Sequence, residues 1–335
     1  MRSCESNRDA PVRGVHGASH LLVLACACLA FPAAGHAVAA SSAQVQQVAI
    51  GDNVWVSATL LDTPHVEPSL AFDPEEPRNA LVASIVIDAS GRWRCAAYRT
   101  EDGGSSWAPV AREALASAGD CGDPWVAFGS DGRVYISLLH GETSDIGRTE
   151  EILVLSSPDG GRTWGQPTVV PAGPDNRGGF DHPTMVVDTS GGPRDGAVYI
   201  IAAQSVLNPH AGLHNAHPMA LLVSTDAGGT FTAPLRVRPT DLVHQVGTPV
   251  VLGDGTLVLS FYDFAVPNHQ RLLTVRRLFT VRSTDGGRTM SAPAFVAEIA
   301  AYRMFANLAA APAAGSAGQF PCRWLSGDRA RRVVQ

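Results

Sequence analysis

The stretch Ser157-Pro-Asp159-Gly-Gly161-Arg-Thr163-Trp164 decides the fold, because the chain writes it four times. The other copies are Thr100-Glu-Asp102-Gly-Gly104-Ser-Ser106-Trp107, Ser224-Thr-Asp226-Ala-Gly228-Gly-Thr230-Phe231 and Ser283-Thr-Asp285-Gly-Gly287-Arg-Thr289-Met290. Their aspartates step by 57, 67 and 59 residues. A period the size of one supersecondary unit marks a repeat architecture. Asp with a following Gly pair supplies a carboxylate that bonds its own turn and the positive-φ backbone that a tight hairpin needs. The aromatic that follows is placed to pack beneath the sheet. In the fourth copy Met290 stands in that place, so its turn is expected to be less tightly pinned.

Working outward, a second phrase precedes each turn: a polar residue, often Pro, then an apolar run. It reads Glu67-Pro68-Ser-Leu-Ala-Phe-Asp73, Asp123-Pro124-Trp-Val-Ala-Phe-Gly129, His182-Pro183-Thr-Met-Val-Val-Asp188 and Thr248-Pro249-Val-Val-Leu-Gly253. A degenerate fifth, Phe305-Ala-Asn-Leu-Ala-Ala-Ala311, follows. Pro is tolerated at the opening residue of a strand, so each phrase reads as a strand entry. Runs rich in β-formers come next (Leu81–Ile87, Val134–Leu139, Val198–Ala203, Leu257–Phe261), and third runs lead into the turns. With an edge strand after each turn, every unit has four antiparallel strands, the blade of a propeller. No amphipathic helix of convincing length is found. A β-sandwich is the alternative, but it has no reason to repeat at this period.

These turns resemble the Asp-box, or bacterial neuraminidase repeat, of the sialidase superfamily of β-propellers. The resemblance rests on Asp102, Gly104, Trp107, Asp159, Gly161, Trp164, Asp226, Gly228, Phe231, Asp285 and Gly287, and spans roughly residues 65 to 312. It implies an all-β, sialidase-like propeller of four-stranded antiparallel blades, six-bladed in its parent form. It also implies a glycan or other small polar ligand, and an exo-α-sialidase or other glycoside hydrolase activity. The alternative is a non-catalytic binding or scaffold module. In that family the boxes lie away from the catalytic centre. Four complete units and a partial fifth are present, so the chain is expected to be an incomplete propeller, marginal and prone to associate when isolated. The Val45–Leu61 stretch, with Val54-Trp55-Val56 at its centre, reads as a closing strand.

Residues 1–40 read as an export signal, with Arg2, Arg8 and Arg13 ahead of the apolar Leu21–Phe31 and a small-residue cleavage site around Val38-Ala39-Ala40. Cys26 and Cys28 leave a lipoprotein alternative. The propeller is expected over 41–320, with an irregular tail at 321–335, and the protein is expected to be secreted. The apolar stretch is shorter than the ~20 residues that span a bilayer. Beyond residue 40 the charge is mildly acidic and no basic run occurs, which argues against nucleic acid and anionic membranes. There is no lysine, so Schiff-base and lysine general-base chemistry is excluded. Cys95, Cys121 and Cys322 remain, and Cys95–Cys121 is the expected disulfide, with three separate thiols as the alternative.

Alternation of the strands puts the turns on one face and the strand entries and second-to-third loops on the other. All eight histidines beyond residue 40 belong to that second set, as do Glu67, Asp123, Asp181, Glu142, Asp263, Arg148, Arg177 and Arg271. A titratable mouth over a channel is where a propeller takes its ligand. The catalytic candidates are Glu67, Asp123, Asp181, Tyr262 and Asp263; the ligand-binding candidates are His182, Arg148, Arg177, Arg271 and Arg303. Glu67 and Asp123 also read as simple caps on the strand entry, and Tyr262 as a core tyrosine beside Asp263. No cofactor and no metal is expected, although His210, His214 and His217 have ligand chemistry on a loop that guarantees no common face. A sialidase needs an Arg cluster for the substrate carboxylate, a Tyr/Glu nucleophile pair and a separate acid. Where the family has Arg-Ile-Pro, this chain has Val66-Glu67-Pro68, a carboxylate in place of the guanidinium.

Overall fold

The computed structural model describes residues 51–144, 147–173, 176–206, 218–238, 243–264 and 275–300. From Asp52 onward these belong to one compact unit. The first sheet is β1 (His65–Phe72), β2 (Ala80–Ile87), β3 (Trp93–Thr100) and β4 (Ala108–Val110), followed by a six-residue helix α1 (Arg112–Ser117). The second is β5 (Cys121–Phe128), β6 (Val134–Ser144), β7 (Gly147–Ser157) and β8 (Thr168–Val169). The third is β9 (Asn176–Val187), β10 (Val198–Val206), β11 (Met219–Ser224) and β12 (Leu235–Arg238). In the fourth the inner strand is split into β13 (Val243–Val246) and β14 (Val250–Val251), both pairing with β15 (Leu257–Phe264), then β16 (Val275–Ser283) and β17 (Ala294–Ala300). Strand order follows chain order in all four sheets, and the pairings among the described strands are antiparallel. Inner strands touch in succession, β1 on β5, β5 on β9 and β9 on β13.

Three apolar cores lie between the four sheets, and period-2 alternation feeds two of them from one strand. Val134, Ile136 and Leu138 of β6 join the core shared with the first sheet, while Tyr135 and Leu139 join the core shared with the third. Likewise Val198, Ile200 and Ala202 of β10 face the second sheet, and Tyr199 and Ile201 the fourth. A strand buried on both faces reads as a continuous apolar run, which is how these two stretches look in sequence. At the two ends the apolar side chains stay in water: Leu70 and Phe72 of β1 are 63% and 62% exposed, and Phe295 and Val296 of β17 are 58% and 50% exposed. No helix among the described residues is long and apolar enough to cross a membrane.

All four Asp-Gly turns join the third and fourth strands of a sheet and carry one hydrogen-bond pattern. In the second, Ser157 Oγ donates to Asp159 Oδ1 (2.8 Å) and accepts from Gly161 N (2.8 Å). Asp159 in turn accepts from Thr163 N (2.8 Å) and Thr163 Oγ1 (2.7 Å). Trp107 and Trp164 donate their indole N–H to Gly104 O and Gly161 O, at 3.1 and 3.0 Å. The fourth turn lacks an indole but keeps the full carboxylate pattern, with Thr289 N and Oγ1 donating to Asp285 at 2.9 and 2.6 Å. Met290 packs on the core between the third and fourth sheets. The carboxylate therefore pins the turn, more than the aromatic that sequence reasoning stressed.

These bonds hold the turn aspartates below the ordinary carboxylate range. The Thr230 hydroxyl leads in lowering Asp226 to about 2. For Asp159, desolvation pushes upward, and the Thr163 N–H and hydroxyl overcome it to reach about 2. A depressed carboxylate stabilises fully above its unfolded pKa of about 3.9 and loses that contribution as pH falls through the folded value. In urea melts across a pH series, the midpoint is expected to fall between about pH 4 and pH 2, and Asp159→Asn to lower the plateau and flatten that fall. A wild-type midpoint already falling between pH 6 and 4, unchanged by Asp159→Asn, would assign the acid sensitivity elsewhere.

Three readings from sequence need correction. The prolines do not open the inner strands: β1 begins three residues before Pro68, β5 three before Pro124 and β9 seven before Pro183. Each strand carries a register shift at that point, a bulge at which the missing N–H costs no ladder bond. Asp181, Arg177, Glu142, Arg148, His140 and Asp263 lie within strands, not loops, because backbone pairing continues past the point where apolar alternation stops. Finally, Val54-Trp55-Val56 forms no strand; residues 51–64 run through turns, with Trp55 69% exposed. Val45 to Ile50 lie outside the described residues.

Candidate functional site

The residue ahead of each inner-strand proline does unusual work in the first three sheets. Glu67, Asp123 and His182 take φ of 53°, 45° and 52°. A side chain in the left-handed region costs about 1–3 kcal/mol, and only a surrounding structure that over-determines it keeps it there. The bulge supplies that constraint, and the residue two places on fastens it. Ser69 Oγ accepts from Val126 N of the second sheet (3.1 Å), Trp125 Nε1 donates to Met185 O of the third (2.9 Å), and Thr184 Oγ1 donates to Gly247 O of the fourth (2.9 Å). One repeated position thus latches each inner strand to the next. In the fourth sheet Thr248 is outside the left-handed set, and the inner strand breaks there.

Because the bulges are in step, their side chains converge. Asp123 Oδ2 accepts from His182 N (3.2 Å) and lies 3.7 Å from His182 Nδ1. On its other side the Asp123 carboxylate is hydrogen-bonded to the Glu67 carboxyl. The three residues, with Pro68, Ser69, Pro124, Trp125 and Pro183, line a pocket of about 200 Å³. In each of the first three sheets the bulge lies toward the hairpin joining the second and third strands, the end opposite the Asp-Gly turns.

Protons are distributed along this chain by position. The hydrogen bond to Asp123, helped by burial and by that neighbouring negative charge, raises Glu67 above the ordinary carboxylate value. Burial pushes Asp123 up, but its bonds to His182 and Glu67 outweigh this and it is held low. The bond to Asp123 raises His182 despite desolvation. Two adjacent carboxyls cannot both ionise cheaply, so Asp123 ionises first, Glu67 holds its proton to higher pH, and the Asp123 charge favours the protonated form of His182. A raised histidine stabilises fully below its unfolded pKa of about 6.5 and loses that contribution as pH rises through the folded value. By proton NMR, His182 is expected to titrate above that value in the wild type and to titrate lower in Asp123→Asn, where only the charges of Asp181 and Glu67 still oppose burial. An unchanged His182 titration would mean that the pair is not formed in solution.

Asp181, exposed and paired opposite Ala203, adds its charge to both Glu67 and His182. Tyr262, half-buried on β15 opposite Gln245 and Leu278, is not among the residues lining the pocket. Arg148 sits on β7, Arg177 on β9 and Asp263 on β15 by backbone, with their side chains outside the described set. Arg271, Arg303, His210, His214 and His217 lie outside the described residues. Sequence reasoning passed over Ser69 and Trp125. Their signal was present, since both stand two residues after the bulge residue in the repeated phrase.

No family model and no curated protein matches the sequence. Among solved structures the chain is similar to a protein of unknown function from Dyadobacter fermentans, at 17% identity over 70% of this chain and 69% of that one, with a TM-score of 0.47. It is also similar to the Hadza microbial sialidase Hz136, at 19% identity over 64% of this chain, with a TM-score of 0.42. The chain spans 48% of that sialidase. A third likeness is to the intramolecular trans-sialidase from Ruminococcus gnavus, at 13% identity over 71% of each chain, with a TM-score of 0.46.

Proposed function

We propose that this chain is an exported, sialidase-like propeller that binds a glycan at the bulge face and takes one sugar residue into the pocket of Glu67, Asp123 and His182. The observation that carries this reading is the convergence of three titratable side chains, each from a strained pre-proline position, beside the Trp125 indole. Aromatic faces suit the C–H face of a pyranose, and a carboxylate pair accepts from neighbouring hydroxyls. The pocket offers two carboxyls and one histidine, and no guanidinium lines it among the described residues. That balance favours a neutral sugar over the carboxylate of a sialic acid. In this reading the four turns are Asp-boxes on the far face, residues 1–40 are the export signal, 41–320 the propeller and 321–335 a tail. Arg148, Arg177, Arg271 and Arg303 are held as contributors to ligand binding.

A hydrolytic reading is favoured by one feature, the raised proton affinity of Glu67, which is the direction a general acid needs. Glycosidases separate their two carboxyls by about 5 to 9.5 Å to admit the scissile bond or a water. A hydrogen-bonded Glu67–Asp123 pair is closer than that and acts as one proton-holding unit, leaving Asp181 as the nearest candidate for the second role. A glycan array probed with residues 41–335, beside fluorogenic neutral glycosides and sialosides, tests both readings. Binding of neutral glycans that Asp123→Asn abolishes supports the first. Turnover lost in Glu67→Gln with binding retained supports hydrolysis. No glycan bound and no turnover would overturn both and leave a scaffold.

A further inference from the structure

A cavity of about 540 Å³ lies away from the bulge pocket, on the first sheet beside α1. It exists because β4 is short. Strand β4 pairs only Ala97, Tyr98 and Arg99, so along Arg94–Ala96 the edge of β3 has β2 on one side and the cavity on the other. Leu60, Val86, Val110 and Leu115 give it apolar walls. Its polar groups are few and differ in how they are engaged. Thr63 O can only accept, so His65 Nδ1 donates to it (2.8 Å) and Nε2 is left to accept from the Tyr98 hydroxyl (2.8 Å). Tyr98 is 2% exposed, and burial raises its pKa, so the hydroxyl keeps its proton at neutral pH. Arg94 is held between Asp88 (3.5 Å) and Asp120 (3.6 Å). Arg112, exposed at the start of α1, has no acidic partner among the described residues.

We propose that this cavity is a second ligand site that takes an organic acid, its apolar body against Val86, Val110 and Leu115 and its carboxylate on Arg112. The volume lies in the range of small-molecule sites, and apolar walls with a few fixed polar groups are the usual build of such a site. The uncommitted guanidinium selects the charge of the occupant. Arg94 already faces Asp88 and an Asp120 that it shares with Arg92, so Arg112 is the lining guanidinium without an acidic partner among the described residues, available for a charge-assisted bond. The site is independent of the glycan reading, since no residue of the bulge pocket lines it.

The probe is 4-phenylbutanoate, with 4-phenylbutan-1-ol as its uncharged counterpart, each titrated into residues 41–335 at pH 7 and followed through valine and leucine methyl resonances. The acid is expected to shift the Val110 and Leu115 methyls and to bind about tenfold more tightly than the alcohol, the ratio a single charge-assisted bond supplies. Arg112 is exposed, so Arg112→Gln is expected to keep the wild-type melting temperature and to erase that preference. Equal binding of acid and alcohol, a preference that survives Arg112→Gln, or shifts confined to methyls outside the cavity would each overturn the assignment.

Discussion

Gly179→Ala is expected to destabilise the protein by about 3 kcal/mol or more, the sum of overpacking and left-handed strain. Gly179 lies on β9 at a φ of +89°, and a Cβ there would stand 2.8 Å from the Glu150 Cα on β7 and nearer still to that residue's amide nitrogen and carbonyl oxygen. Backbone has no rotamer with which to yield, so β9 must move. Gly191→Ala is the matched control: its φ is +68°, but nothing lies within 4 Å of the added Cβ, leaving only conformational strain of about 1–2 kcal/mol. Urea unfolding of both variants reads the difference, and a loss at Gly179 no larger than at Gly191 would refute the close approach. Gly179 lies three residues before His182, so the same shift of β9 should also draw the imidazole from Asp123 and lower its titration.

The second large effect belongs to the disulfide. Cys95 on β3 and Cys121, the first residue of β5, are joined across the first two sheets, with a Cα–Cα distance of 5.6 Å and 26 residues of separation. Opening a loop of that size is expected to cost about 3.5 kcal/mol through the entropy returned to the unfolded chain. Alanine at both positions is the right replacement, since Cys121 is fully buried and a serine would bring an unpaired hydroxyl. The double variant and the reduced wild type should unfold at similar urea concentrations, both well below the oxidised protein. If reduction leaves the midpoint unmoved, the bond is not holding the two sheets together.

The repeat made the architecture readable without a structure. Asp159 and its three counterparts recur because each turn needs the same carboxylate, and that need is local in sequence. The Glu67, Asp123 and His182 phrases were readable for the same reason, as copies of one position. Their meaning was not. A proline that opens a strand and a proline inside a bulge have the same neighbours in sequence. Only the pairing of β1 with β2, which continues on both sides of Glu67-Pro68, tells them apart. The edge cavity was equally hidden, because it depends on β4 being three residues long, and strand ends are set by cross-strand partners rather than by propensity. The Val54-Trp55-Val56 stretch shows the converse: strong β-formers take turns when no edge among the described residues receives them.

The pre-proline position has a consequence for how this scaffold could be rewritten. In the first three sheets its backbone is fixed by the bulge and by the latch two residues on, and its side chain belongs to none of the three apolar cores. Identity at that socket is therefore uncoupled from folding in a way that no core position allows. Three inner strands spell a short word at their bulges, Glu67, Asp123, His182, and each letter can change without altering a core beneath it. A family built on this frame would diverge in chemistry by respelling those three letters while its cores stayed the same.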